Sequence, residues 1–228
     1  MKNLVAEADS IYSRHLRKGA DDPYHAILPK FCERCNAIPE ASILEIGSRE
    51  VSGVSRRGLF HTKNGYVGMD IHAGPGVDVV GDAHRLSSIF PAGKFDSICS
   101  MSVFEHLAFP WKVVLEMNTV LKTGGLCYIS THPAWPPHEL PWDFWRFPLA
   151  GLRVLFSEPL GFRVLEATEG IPGRLHSMVD DPPTRDLPYY EISLGVSMMA
   201  EKIRDYDRER LRWDLPIEAV LDSIYPKR

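Results

Sequence analysis

Three residues with ligand-binding chemistry, Gly47, Asp70 and Asp82, stand at the ends of successive short apolar runs. If these runs are parallel strands, their carboxyl ends meet at the edge of the sheet where open α/β folds bind ligands. A glycine there leaves room for a ligand over the strand end. An acid after the second strand is placed to accept hydrogen bonds from a ribose diol, and Asp82 is placed to reach an adenine amino group. The three residues therefore outline an adenosine site.

The turn after the first run argues against a dinucleotide. A pyrophosphate requires the spacing G-x-G-x-x-G so that backbone N–H groups can approach its anions. Here Arg49 stands at the second glycine position and Ser52 at the third. S-adenosylmethionine has no pyrophosphate, and Arg49 or the neighbouring N–H groups could bind its carboxylate. The residues favour S-adenosylmethionine over a nicotinamide dinucleotide.

The elements that position these residues follow from hydrophobic periodicity. A chain of 228 residues, 44% of them hydrophobic, suits one α/β domain with an appendage. Continuous apolar runs predict a buried parallel sheet. The predicted strands are 43–46, 66–71, 77–80, 95–99 and 126–130. A helix that begins at Pro110 and ends at Gly124-Gly125 precedes the fifth strand.

The flanking segments have a different composition. We predict a helical N-terminal cap over 1–40, a domain over 41–200 and a helical C-terminal tail over 201–228. The cap is expected to break near 21–23 and at Pro29. Further predicted elements are helices at 54–60 and 149–156, and strands at 161–168 and 191–200. Prolines crowd the segments 133–148 and 171–190, which we expect to be irregular loops that cover a site.

Composition excludes several classes of protein. A formal net charge of -4 disfavours a nucleic-acid partner. No apolar run approaches the roughly 20 residues of a membrane helix, and the amino terminus lacks a signal-peptide pattern, so we expect a cytoplasmic location. Four scattered cysteines do not form a disulfide framework. We expect Cys32 and Cys35 to be cysteines of a helix face, and Cys99 and Cys127 to be core thiols.

Several motifs carry a resemblance to a known family. They are the glycine turn, Asp70, Gly81-Asp82-Ala83, Phe104-Glu105-His106-Leu107, Leu121-Lys122-Thr123-Gly124-Gly125 and the run Asp143-Phe144-Trp145-Arg146-Phe147. From about residue 42 to residue 200, the chain resembles the class I S-adenosylmethionine-dependent methyltransferases, in particular small bacterial-type members. The resemblance implies a Rossmann-like, seven-stranded, mostly parallel sheet with helices on both faces and an antiparallel last strand.

The resemblance also implies S-adenosylmethionine as the cofactor. The residues that we expect to hold it are Glu45, Gly47, Ser48, Arg49, Gly53, Asp70, Ile71, Asp82, Ala83, Met101, Ser102 and Glu105. The chain departs from the family pattern in two ways. The first turn lacks its second glycine, and only six residues separate Asp70 from Val77, too few for a crossover helix. Either a loop makes this connection alone or the third strand is irregular.

Histidines supply the candidate catalytic groups. Transfer of a methyl group to an alcohol needs a base, and histidine is the residue best suited to that role near neutral pH. His132 and His138 are the first candidates, with either Glu139 or Asp143 to orient His138. His106 is a candidate for either a catalytic or a structural role. We expect a small-molecule or sugar acceptor to contact Trp135, Trp142, Trp145 and Arg146 in the covering loop, since aromatic faces stack on sugars and planar rings.

Other interpretations compete with this one. His132, His138 and Asp143 could bind a magnesium ion, but hard cations prefer oxygen ligands, so we predict no metal. A nucleotide-dependent oxidoreductase would use Asp70 for the ribose, although the glycine pattern and the missing Tyr-x-x-x-Lys pair argue against it. A non-catalytic cofactor-binding protein whose tail docks a partner is a third interpretation. The sequence does not decide whether the tail forms a homodimer contact.

Overall fold

The computed structural model describes residues 19–51, 53–61 and 63–213, and within them a seven-stranded sheet is the central element. The strands are β1 Ser42–Ile46, β2 Gly65–Asp70, β3 Val79–Val80, β4 Phe95–Met101, β5 Leu121–Thr131, β6 Phe162–Gly173 and β7 Ile192–Lys202. The α-helices of the described part are α1 Ile27–Asn36, α2 Leu86–Ile89, α3 Pro110–Val120 and α4 Leu149–Leu155.

The strand order is β3-β2-β1-β4-β5-β7-β6. Strands β1 to β5 pair in parallel, whereas β7 runs antiparallel to both β5 and β6. The predicted mostly parallel sheet with an antiparallel last strand is confirmed. Because β1 pairs with both β2 and β4, the chain order reverses at β1, and open α/β sheets bind ligands at such a point.

Each face of the sheet carries its own core, as the alternation of side chains along a strand requires. On one face Ile43, Cys99 and Tyr128 pack against Phe31 of α1. The other face packs against α2, α3 and α4, which contribute buried residues such as Leu86, Val113 and Leu152. Helices therefore cover both faces, as predicted.

The predicted helix over 54–60 is wrong. That segment contains only a short 3-10 turn, Arg57–Leu59. Phe60 is buried against Phe31, but Val54 is 60% exposed and Leu59 is 45% exposed. With one buried apolar residue, the segment has too narrow an apolar face to hold a helix against the sheet.

The predicted helical tail is also wrong where the structure describes it. Residues 203–213 form turns, and Trp213 at their end packs on Phe109 and Trp111 at ring-centroid distances of 5.2 and 5.3 Å. The alternating charges of 201–212 belong to an irregular segment rather than to a solvated helix face. Residues 214–228 of the predicted tail and 1–18 of the predicted cap lie outside the described residues.

Pro29 does not break the cap helix. It lies in the first turn of α1, where a backbone N–H has no intrahelical partner, so the missing donor removes no hydrogen bond.

The connection from β2 to β3 is a loop, and β3 is only two residues long. Gly76 turns this loop with φ of +83°, where an added Cβ would lie 2.7 Å from the Ser48 carbonyl oxygen.

The cysteines are buried thiols, as predicted. Cys35 donates a hydrogen bond to Ser97 Oγ at 3.1 Å, and burial raises its pKa to about 12 and that of Cys32 to about 11. Cys99 and Cys127 are fully buried in the sheet. Neutral, inaccessible thiols of this kind do not act as nucleophiles.

Lys202 of β7 has its ammonium group inside the protein, with the side chain 3% exposed. It donates to the carbonyl oxygens of Asn118 and Leu121 at 2.6 and 2.9 Å, and its Nζ lies 2.6 Å from an oxygen of Asp205. The two carbonyls end α3, where backbone acceptors have no intrahelical donor. Lys202 therefore joins the end of α3 to the last strand.

We expect Lys202→Met to lower the free energy of unfolding by about 2–4 kcal/mol, because it leaves two buried carbonyls without a donor. Lys122→Met is the matched control. Lys122 pairs with Asp96 at 2.7 Å but is 47% exposed, so its loss should cost less than about 1 kcal/mol. Urea unfolding monitored by circular dichroism measures both; equal effects would contradict this role for Lys202.

Candidate functional site

A cavity of about 370 Å³ opens at the carboxyl ends of β1, β2 and β4. This volume lies within the range of small-molecule sites. Many of the residues that the sequence singled out line it. They are Gly47, Arg49, Asp70, Ile71, Asp82, Ala83, Met101, Ser102, His106, His138 and Trp142.

The glycine turn closes tightly over the end of β1. Gly47 has φ of +82°, and an added Cβ would lie 2.2 Å from Cγ2 of Val103. The N–H groups of Gly47 and Ser48 both donate to the Met69 carbonyl, at 2.8 and 3.1 Å. Only glycine fits this position, because the turn has both a left-handed backbone and a close neighbour.

Asp70 lies at the end of β2 beside the turn. Its Oδ1 accepts the His72 N–H at 2.9 Å and lies 3.5 Å from Arg49 Nε. Its Oδ2 lies 3.4 Å from the Arg49 backbone N. The Arg49 side chain thus leans toward the acid predicted for the ribose. Binding of the cofactor carboxylate by Arg49 stays a prediction.

Asp82 lines the cavity and has one carboxylate oxygen without a hydrogen-bond partner among the described residues. Its Oδ1 accepts hydrogen bonds from the backbone N and the Nδ1 of His84, at 2.9 and 2.7 Å. Its Oδ2 is buried and has no partner among the residues that the structure describes. Burial opposes the charged form, but the hydrogen bonds from His84 outweigh it and lower the pKa of Asp82. Asp82 is therefore an anionic acceptor with one free oxygen.

His84 is a structural residue. Its Nε2 accepts the Phe109 N–H at 3.2 Å, while Nδ1 faces Asp82. A ring nitrogen that accepts from a backbone N–H must carry a lone pair, so the ring is neutral and Nδ1 is the donor. The imidazole links the end of β3 to the start of α3.

Ser102 and His132 form a pair behind the cavity wall. Ser102 lines the cavity with φ of +54°, a strained conformation that is common at functional sites. Its Oγ lies 3.3 Å from His132 Nε2. His132 Nδ1 lies 3.2 Å from the Leu194 carbonyl oxygen. A carbonyl can only accept, so Nδ1 is the donor, and in the neutral form of the ring Nε2 carries the lone pair beside Ser102.

Glu105 is fully buried beneath the same end of the cavity. Its Oε2 accepts the Thr131 hydroxyl at 2.7 Å. Its Oε1 is buried without a hydrogen-bond partner among the described residues, and it lies 3.5 Å from His132 Nε2 and 4.0 Å from His106 Nε2. Because an unpaired buried carboxylate is costly, this oxygen marks a place where a cation or donor is expected.

Arg146, predicted to contact the acceptor, makes its hydrogen bonds within the covering loop. It holds Asp143 bidentately at 2.6 and 2.7 Å, and its remaining N–H groups donate to the carbonyl oxygens of Trp135, Pro136 and Trp145. These bonds use all five guanidinium donors. Asp143 is likewise occupied, because it also accepts the His138 N–H at 2.9 Å. Both residues stabilise the loop, and their roles in catalysis and acceptor binding stay predictions.

The three tryptophans of the covering loop have different environments. Trp142 lines the cavity. Trp135 stacks on His132, with ring centroids 4.6 Å apart. Trp145 donates from Nε1 to the Leu107 carbonyl at 2.8 Å and packs on Trp111, so it anchors the loop. Acceptor binding stays a prediction for all three tryptophans, of which Trp142 lines the cavity.

Four residues predicted to hold the cofactor do not line the cavity: Glu45, Ser48, Gly53 and Glu105. Glu45 points to the opposite face of the sheet, where the Tyr66 hydroxyl donates to it and Arg56 lies 3.6 Å away. This orientation follows from the alternation of side chains along a strand, and cofactor binding by Glu45 stays a prediction. Gly53 lies in the exposed part of the turn.

Sequence reasoning missed several lining residues, among them Arg56, Val103 and Phe144. Val103 and Phe144 directly flank residues that were named, so neighbouring positions on the same loops were the available signal. Arg56 carried no signal, because it reaches the cavity from an irregular segment predicted to be helical.

Within the described part of the chain, no helix combines the length and the apolarity needed to cross a bilayer.

The chain is similar to known methyltransferases. Residues 55–129 match the family model described as "Methyltransferase domain". Two curated proteins from Mycobacterium sp. strains KMS and MCS, each described as "Uncharacterized methyltransferase", are 32% identical over 100 residues. That match covers 39% of this chain, and the chain spans 38% of the length of these relatives.

Solved structures share the fold. The YcgJ protein from Bacillus subtilis has a TM-score of 0.56 at 16% identity, over 77% of this chain and 97% of that one. A SAM dependent methyltransferase from Archaeoglobus fulgidus has a TM-score of 0.52 at 16% identity, over 78% and 94%. A chain in the complex of the Haloferax volcanii Trm112 methyltransferase activator with a methyltransferase has a TM-score of 0.53 at 20% identity, over 77% and 88%.

The contribution of the Asp143–Arg146 pair to the free energy of unfolding should depend on pH. The hydrogen bonds from Arg146 lower the pKa of Asp143 below its ordinary value. Such a group contributes its full stability above the unfolded pKa of about 3.9, and the contribution is lost as the pH falls toward the lower folded value. We expect Asp143→Asn to cost about 1–3 kcal/mol at pH 7, and the difference from the unmutated protein to shrink below about pH 4.

Chemical unfolding at a series of pH values measures this difference. Asp180→Asn is the control, since Asp180 pairs with Arg185 on the exposed surface and should contribute little. A difference between Asp143→Asn and the unmutated protein that stays constant down to pH 2 would contradict the assignment.

Proposed function

From the premise that this chain carries the fold of the class I S-adenosylmethionine-dependent methyltransferases, we propose that it transfers the methyl group of S-adenosylmethionine to a hydroxyl of a small molecule or sugar. The observation that carries the proposal is the cavity at the β1 switch point, which Asp70 and Asp82 both line. Both acids lie at the carboxyl edge of the sheet.

The chain's own residues fit an adenosine. Asp70 would accept hydrogen bonds from the ribose diol, and Asp82 Oδ2, which is buried and unsatisfied, would accept one from the adenine amino group. Gly47 lines the cavity, and its missing side chain lets Val103 pack against the turn. The bound cofactor supplies an electrophilic methyl group on a sulfonium, and the adenosine contacts fix its position in the cavity.

The second requirement is a route for the acceptor proton. Methyl transfer is an in-line displacement in which the acceptor oxygen attacks the methyl carbon, so alignment is the main contribution of the protein. The proton of the hydroxyl would pass to Ser102 Oγ as the Ser102 proton passes to His132 Nε2, 3.3 Å away. The Leu194 carbonyl holds His132 in the required tautomer. Among the predicted bases, His132 is favoured over His138 by this pairing.

The acceptor class follows from the covering loop. Trp142 and Phe144 line the cavity, and aromatic faces favour planar rings or the apolar faces of sugars. The formal charge of -4 gives no support to a nucleic-acid acceptor. The residues at the glycine turn likewise give no support to a pyrophosphate-containing cofactor.

We expect S-adenosylhomocysteine to bind the purified full chain, and Asp70→Asn to weaken that binding by about ten-fold or more, because a charge-assisted hydrogen bond is lost. Isothermal titration calorimetry measures both. Asp186→Asn is the control, as Asp186 is an exposed residue outside the cavity. Absence of binding to the unmutated protein, or tighter binding of NADH, would reject the cofactor assignment.

We expect His132→Ala and Ser102→Ala each to lower kcat by about 10²–10⁴-fold, the usual contribution of a general base. Transfer of the radiolabelled methyl group to a panel of hydroxylated aromatics and sugars measures this rate. The affinity for S-adenosylhomocysteine should change little in His132→Ala, because His132 does not line the cavity. His61→Ala, at an exposed histidine, is the control. Unchanged turnover in both site variants would exclude this proton route.

A further inference from the structure

Three potential metal ligands converge beneath the covering loop. Glu105, His106 and His138 each place one ligand atom within 4.8 Å of the others. The His106 and His138 rings lie 4.7 Å apart, centroid to centroid, at an angle of 78°. Both histidines line the cavity and Glu105 lies just behind it. Two imidazoles and one carboxylate are a common donor set for divalent transition metals.

Glu105 supplies the independent sign that a ligand belongs here. Its side chain is fully buried, Oε2 is satisfied by Thr131, and Oε1 is left without a hydrogen-bond partner among the described residues. Ring nitrogens of two histidines face Oε1 instead. A buried anion is costly unless a cation compensates it, and an ion between Glu105 and the histidines would do so.

The orientation of the two histidines leaves Nε2 of each ring available to bind a metal ion. His106 Nδ1 lies 2.7 Å from the Trp142 carbonyl oxygen, and His138 Nδ1 lies 3.2 Å from the Pro136 carbonyl oxygen. Because a carbonyl can only accept, Nδ1 is the donor in each neutral ring and Nε2 carries the lone pair. Metal-bound histidines are oriented in this way, with the second N–H held by a carbonyl or carboxylate.

The distances allow a shared ion with little movement. Two donors that each lie about 2.0–2.2 Å from one ion are at most about 4.4 Å apart. Glu105 Oε1 and His106 Nε2 are already 4.0 Å apart. His138 would have to move toward the other two ligands by a few tenths of an ångström. It lies on the covering loop and is half-buried. Asp143, a ligand of the disfavoured magnesium alternative, is held by Arg146 and is not part of this set.

We propose that Glu105, His106 and His138 bind one divalent transition-metal ion at the end of the cavity beneath the loop 133–148. Such a site would depart from the sequence-based expectation of no metal. Compared with the alternative magnesium set, it keeps His138 and uses Glu105 and His106 in place of Asp143 and His132. Three protein ligands on one side leave coordination positions open toward the cavity.

The ion would also narrow the acceptor class, a consequence that rests on the proposed function. An oxygen acceptor bound to a divalent cation loses its proton more readily. Ser102 and His132 lie beside Glu105 to receive that proton. Acceptors with two adjacent oxygen ligands, such as diols, would then be preferred over isolated hydroxyls.

Titration of the chelator-treated full chain with cobalt chloride tests the site without cofactor or acceptor. We expect one equivalent of Co²⁺ to bind saturably, with the visible absorption of an ion bound by nitrogen and oxygen, and Zn²⁺ to displace it. Glu105→Gln and His138→Ala should each weaken binding by about ten-fold or more. His61→Ala, an exposed histidine outside the site, should bind as the unmutated chain does.

His138→Ala keeps the test decisive if Glu105→Gln fails to fold, because His138 lies on the loop surface of the site. His132→Ala should retain the ion; loss of binding there would overturn the proposed ligand set. Absence of saturable binding, or unchanged affinity in both ligand variants, would overturn the site itself. Calorimetry with S-adenosylhomocysteine is run separately on the same metal-free protein, so failure of the metal site and failure of the proposed function give different results.

Discussion

The buried residue Glu105 connects the parts of the site. Its carbonyl oxygen accepts the N–H groups of Phe144 and Trp145, which fixes the covering loop to the end of β4. Its carboxylate binds Thr131 at the end of β5 and faces His132 and His106. Since these contacts all converge on one fully buried residue, the position of the loop and the position of the histidines depend on each other.

The fold was largely predictable because buried parallel strands have a clear sequence signal. The five apolar runs became β1 to β5, and the helix that begins at Pro110 was confirmed. The errors concern segments in which charge or composition, not apolar periodicity, carried the prediction. The segment 54–60 has one buried side chain, and the charged tail forms turns that end in a tryptophan contact.

The candidate site was predictable in part. Residues at strand ends, such as Asp70, Asp82 and Ser102, line the cavity because their positions follow from the strand register. The contacts of Glu45 and Arg146 were not predictable from the sequence, for different reasons. Side-chain alternation turns Glu45 to the other face, and Arg146 is consumed by five hydrogen bonds within its own loop. A sequence does not reveal whether an arginine's donors are already used.

Because all five N–H donors of Arg146 are used within the covering loop, this loop would be rigid when the proposed acceptor binds. A proline-rich segment held by five guanidinium bonds at Trp135, Pro136, Asp143 and Trp145 has little conformational freedom left to lose. Association with a preorganised wall avoids most of the entropic penalty of ordering a loop. Discrimination among acceptors would then come from rigid complementarity of shape, so close analogues with one extra substituent near Trp142 would be rejected by steric exclusion.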